Sequence, residues 1–101
     1  MLYDQNTQES EDVLLMEEPT DVGTQKAQLI VFNDEHNTFE WVIQCFVEVL
    51  HHQSEQAEQC SMLIHFKGKA IVKTATMKVL KPLKDALVER GLSVVIEEEK
   101  D

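Results

Sequence analysis

Two short segments hold most of the residues that could do chemistry. The first is Asn33-Asp34-Glu35-His36-Asn37-Thr38-Phe39-Glu40-Trp41, and the second is His65-Phe66-Lys67-Gly68-Lys69-Ala70. In the first, two adjacent carboxylates stand beside amide side chains in a turn-forming run, which concentrates acceptors at one spot. A primary ammonium carries three donors and no acceptor, so it is the ligand such a cluster suits. Turn and cap duty accounts for Asn37 and Thr38 as well. It accounts less well for Asp34 and Glu35, because neighbouring acids repel. In the second segment His65 lies just before the glycine that ends a helix. A histidine there is either a helix-end residue favoured by the dipole or a ligand-binding group.

Other chemistries fail on spacing. His36, His51, His52 and His65 with Cys45 and Cys60 contain neither CxxC nor HxxxH, so no zinc site is expected, and His51-His52 reads as a solvated pair at a helix end. Cys60 and His65, five apart on one helix, point to different faces and make no thiolate–imidazole pair. Three glycines do not build a phosphate loop. A formal net charge of −10 argues against nucleic acid and against anionic membrane. It suits either plain solubility or a basic partner and a cationic ligand. Both cysteines read as reduced core thiols, and no basic-then-apolar leader is present, which points to the cytoplasm.

These residues need a scaffold, and the chain offers one domain. Residues 1 to about 26 are polar and acidic with little periodicity, and they are read as a disordered tail preceding a domain over 27–101. Within that tail Val13-Leu14-Leu15-Met16 is either a docking motif or a chance apolar cluster. Gln28 to Asn33 is a β-rich run closed by turn residues. Phe39, Val42, Ile43, Phe46, Val47 and Leu50 then fall at helical spacing, capped by Asn37 in a capping box with Glu40 or by Thr38. A second helix from about Ser54 sets Ala57, Cys60, Ser61 and Ile64 on adjoining faces and ends before Gly68. A strand over 69–75 follows. Thr76 opens a third helix ending at Arg90 with Gly91 beyond it, unless Pro82 starts that helix near Lys81 or kinks it. Leu92 to Ile96 is a last strand, running into Glu97, Glu98 and Glu99. The order β-α-α-β-α-β predicts an α+β sandwich of three helices on a three-stranded antiparallel sheet.

The two segments together resemble the ClpS adaptor family. The resemblance runs from about Gln28 to the C-terminus. It rests on a strand ending in Asn-Asp-acid, on Thr38-Phe39-Glu40-Trp41-Val42-Ile43, and on the His-x-x-Gly-Lys-Ala of His65 to Ala70. It implies a monomeric adaptor that uses no cofactor and catalyses nothing. Such an adaptor grips proteins by a free N-terminal Phe, Leu, Tyr or Trp and delivers them to the N-domain of a Clp-family AAA+ ATPase with its peptidase. The implied α-amino contacts are Asn33, Asp34, Glu35 and His65. The implied side-chain pocket is Phe32, Asn37, Phe39, Val42, Ser61, Ile64 and Leu92. ATPase docking would fall on His36, Lys78, Lys81 and Lys84. The chain departs from the family at Glu35, where aspartate is frequent, at Ser61, where methionine is usual, and at Phe39, where methionine is common. His36 replaces a frequent aromatic residue.

Two rival readings are weaker. A structural domain like the C-terminal domain of the ribosomal stalk protein would share the fold but leave Asn33, Asp34, Glu35 and His65 unexplained. A small hydrolase using Cys60 or His65 lacks a nucleophile–base pair. On the adaptor reading, deleting residues 1–26 spares peptide binding and impairs degradation of a reporter by the ATPase. A deletion that leaves both intact makes the segment a passive leader.

Overall fold

Residues 25–99 are described in the computed structural model of the chain. They form β1 (Lys26–Phe32), α1 (Phe39–Leu50), α2 (Ser54–Lys67), β2 (Lys69–Thr76), α3 (Met77–Glu89) and β3 (Ser93–Glu98). This is the expected α+β order. The acidic segment before β1, including residues 13–16, lies outside the described residues apart from Gln25.

The sheet order is β2-β1-β3, with both pairs antiparallel. Ala27, Leu29 and Val31 alternate onto one face of β1 and are closed to solvent. The three helices cover that face with Phe46 and Leu50 from α1, Ala57 and Ile64 from α2, and Leu80 and Leu87 from α3. Apolar burial of this kind is what offsets chain entropy in so small a domain. On the opposite face Ile30 pairs with Ile71 and Val95, which remain exposed.

Local chemistry sets the element ends. Thr38 takes the α1 cap, its Oγ1 accepting the Trp41 N–H at 3.1 Å. Asn37 does not form the capping box with Glu40; its amide reaches across the fold instead. Thr76 ends β2, one residue later than expected, and caps α3 by accepting the Val79 N–H at 3.4 Å. The helix then runs from Met77 through Pro82 to Glu89, so a start near Lys81 is corrected. Pro82 lacks the N–H that would meet the Lys78 carbonyl. Both residues are exposed, so the helix loses this bond on its solvent side and not against the core. Gly91 follows with φ 97°, the left-handed conformation that turns the chain toward β3. The last strand begins at Ser93, and Leu92 is buried just ahead of it.

A second correction concerns His51-His52. His51 is exposed, with φ 60°, and closes α1. His52 is buried, and the reason is a β-bulge. Leu29 pairs with Lys73 and Ile30 with Ile71, so Val72 is an extra residue in β2. The His52 Nε2 lies 3.1 Å from the Val72 carbonyl. A carbonyl only accepts, so Nε2 carries the proton, and Nδ1 is left buried without a partner among the described residues. Burial depresses the basicity of this ring, with the nearby Lys73 charge adding to it and the Val72 contact opposing.

The folded state thus favours neutral His52, whereas the unfolded chain titrates near the ordinary value of about 6.5. The contribution of His52 is complete above that pH and is lost as pH falls toward the folded-state value. Urea midpoints measured from pH 7.5 to 5.5 should therefore decline in the native chain and decline less in His52→Gln. Equal slopes would remove His52 from the account.

Candidate functional site

The end of β1, the start of α1, the end of α2 and the start of β3 meet at one corner. The two terminal residues of that corner are register partners, Phe32 with Ser93. Asn33 is tied to the α2–β2 turn by its N–H, which donates to the Gly68 carbonyl at 2.9 Å. Gly68 has φ 93°, so the chain reverses there directly after α2 and brings His65 close to the end of β1. The turn from Asp34 to Asn37 closes on itself, with the Asn37 N–H donating to the Asp34 carbonyl at 3.2 Å.

A pocket of about 330 Å³ opens at this corner. Its walls include Phe32, Asn33, Asp34, Glu35, Asn37, Phe39, Val42, Ser61, Ile64, His65 and Leu92, so the residues singled out for an amine and for a side chain line one cavity. Val31 and Thr38 line it too. Leu92, Ile64 and Ser61 are buried, whereas Phe32 and Phe39 keep 36% and 38% of their surface in solvent and stand at the rim. The polar acceptors are thus grouped with an apolar wall. His36 is exposed in the same turn, Lys78 and Lys81 are exposed on α3, and Lys84 is half-buried there; none lines the cavity. Lys81 pairs with Asp85 at 3.1 Å.

Sequence reasoning missed the groups that hold this corner in shape. The Asn37 Nδ2 donates to the Gly91 carbonyl at 3.0 Å, and the Trp41 Nε1 donates to the Arg90 carbonyl at 3.1 Å. Arg90 in turn pairs with Glu48 and lies over the Trp41 ring, 5.9 Å from its centroid. These contacts fasten α1 to the α3–β3 turn. Ser93 is the other omission: its hydroxyl donates to Asp34 Oδ2 at 3.1 Å, while Asp34 Oδ1 accepts the His36 N–H at 2.9 Å. Only the strand register, fifty-nine residues away in sequence, reveals that pair.

The consequence for Asp34 is electrostatic. The His36 N–H holds its carboxyl below the ordinary value, the Ser93 hydroxyl and the His36 ring act in the same direction, and partial desolvation opposes them. Asp34 therefore stays an acceptor into mild acid, in a fixed rotamer. The cysteines go the other way. Burial pushes both the Cys45 and the Cys60 thiols up, which keeps them protonated and weakly nucleophilic.

The family model for the ATP-dependent Clp protease adaptor protein ClpS matches residues 23–95. The chain belongs to the ClpS family. The ATP-dependent Clp protease adapter protein ClpS of Neisseria meningitidis serogroup A is 29% identical over 89 residues, covering 85% of this chain and 82% of that one. Among solved structures, Agrobacterium tumefaciens ClpS2 bound to L-phenylalaninamide superimposes with a TM-score of 0.66 at 21% identity, over 75% of this chain and 99% of that one. At that identity the likeness speaks for the ClpS fold.

Ser93→Ala removes one of the two donors on the Asp34 carboxyl. Following the Asp34 side-chain carbon by NMR across pH should show its titration displaced upward in the variant and returned by Ser93→Thr. No displacement would mean that the hydroxyl is a bystander.

Proposed function

We propose that this chain is an N-degron adaptor: it binds proteins by a free, bulky apolar first residue and delivers them to a Clp-family AAA+ ATPase. The observation that carries the reading is one cavity in which Asn33, Asp34, Glu35 and His65 supply acceptors while Phe39, Val42, Ile64 and Leu92 supply carbon. A free α-amino group, with an ordinary pKa near 8, is mostly charged at neutral pH. Each charge-assisted hydrogen bond to it contributes about 1.5–3 kcal/mol, and burying a large apolar side chain contributes about 1.5–3 kcal/mol. Either alone leaves binding weak; together with main-chain contacts they reach roughly micromolar affinity. The site therefore reads charge and side chain jointly.

The relative solved with L-phenylalaninamide supports this choice of ligand, because that molecule presents a free amine beside an aromatic side chain. His65 acts as an acceptor toward the amine, and Glu35, longer than the usual aspartate, contacts it directly or through water. The adaptor makes and breaks no bonds, in keeping with thiols that are held protonated. His36, Lys78, Lys81 and Lys84 form the face offered to the N-domain of the ATPase, the segment over 1–26 assists delivery from the domain over 27–101, and the protein works as a monomer in the cytoplasm.

The test is a set of short peptides beginning with Phe or Leu, each with a free or an acetylated N-terminus. Acetylation removes the charge and two donors, and should weaken binding by about 100-fold or more. Peptides that bind equally in both forms would end the proposal.

A further inference from the structure

One polar group in the cavity wall is left without work by the reading above. Ser61 lines the cavity with only 3% of its surface exposed, and its hydroxyl has no hydrogen-bond partner among the described residues. It does not even bond back to the carbonyl one turn earlier, the common resting place for a serine inside a helix. Native proteins rarely leave a buried hydroxyl unpaired, so a group of this kind is normally satisfied by water or by a ligand. The apolar groups around the cavity, Ile64 on the same helix, Phe39 and Val42 from α1, and Leu92 before β3, have no side-chain polar atom to offer it.

The position along α2 indicates what the partner would be. His65 lies four residues beyond Ser61, and both line the cavity, so the two are separated by about one turn, or ~6 Å along the helix axis. A first residue whose ammonium is held beside His65 therefore sends the far end of its side chain to the depth of Ser61. For Phe or Leu that end is carbon, which leaves the hydroxyl unpaired. For Tyr the end is a phenol, which both donates and accepts, as the serine does. The indole N–H of Trp lies partway along its ring system and only donates.

We infer that Ser61 is a specificity-determining residue, pairing with a phenolic hydroxyl and making tyrosine the preferred first residue. The inference rests on the amine-plus-pocket reading of the same cavity and narrows its ligand class. A site that pairs with a ligand hydroxyl discriminates against the ligand that lacks it, because the buried protein group is then stranded. Ser61 thus favours Tyr over Phe, which gives the hydroxyl no partner.

The experiment compares free-amine peptides identical after the first residue, which is Tyr, Phe or 4-methylphenylalanine, on the full chain and on Ser61→Ala. The methyl compound matches Tyr in length without its hydroxyl. On the native chain Tyr should bind about 3- to 10-fold more tightly than either of the others. In Ser61→Ala the three should converge to within about 2-fold. Alanine favours the helix and removes an unpartnered hydroxyl, and thermal unfolding of the variant verifies that the comparison is made on a folded domain. Equal binding of Tyr and Phe to the native chain, with acetylation still abolishing both, overturns this inference alone. A Tyr preference that survives in Ser61→Ala also overturns it. Failure of every free-amine peptide to bind defeats the adaptor reading and this inference with it.

Discussion

Everything at the functional corner depends on β1 being the central strand. Its two neighbours come from opposite directions along the chain, β2 after two helices and β3 after a third. Pairing with both of them leaves β1 no freedom of register, because a slip of one residue would turn Leu29 and Val31 out of the core. The residue after the strand, Asn33, is consequently delivered to a fixed point. So are the two groups that arrive beside it: the Gly68 carbonyl ahead of β2, and the Ser93 hydroxyl that opens β3. Hydrophobic burial on one face of a three-stranded sheet thus sets polar geometry at its edge.

The electrostatic character of the corner follows from its hydrogen bonds more than from the overall charge. A protein of net charge −10 has carboxylates in many places. At Asp34 both oxygens are already engaged, one by a main-chain N–H and one by a hydroxyl, so the group is ordered before any ligand comes. Preorganised acceptors do not spend binding energy on rotamer selection. The adjacent apolar wall excludes water, which strengthens whatever charge-assisted contact is made there.

Much of this was legible in the sequence because its signals are local. The alternation over Leu29 to Val31, the helical spacing from Phe39 to Leu50, and the glycine after Lys67 each follow from neighbouring residues. The residues singled out through resemblance to a family share one cavity with Val31 and Thr38, and that grouping does not follow from periodicity. What stayed hidden depends on distant partners. Asn37 and Thr38 are equivalent caps until the Gly91 carbonyl claims the asparagine. His52 looks like a surface residue until a bulge in β2 presents it with the Val72 carbonyl. Pro82 looks like a break until the exposed side of α3 is known. Ser93 has no local signature at all.

The anchors of the turn differ in kind from the walls of the cavity. Asn33, Asn37 and Trp41 are all secured to main-chain carbonyls, those of Gly68, Gly91 and Arg90. Such acceptors persist whatever side chain occupies their position. Phe39 and Ser61, by contrast, shape the cavity with their own atoms and sit on separate helices. The anchoring of the turn therefore does not depend on which side chains stand at its acceptor positions, whereas a single substitution at Phe39 or Ser61 changes the shape of the cavity. On the adaptor reading, substitutions at those two positions would retune the choice of first residue while the turn keeps its place.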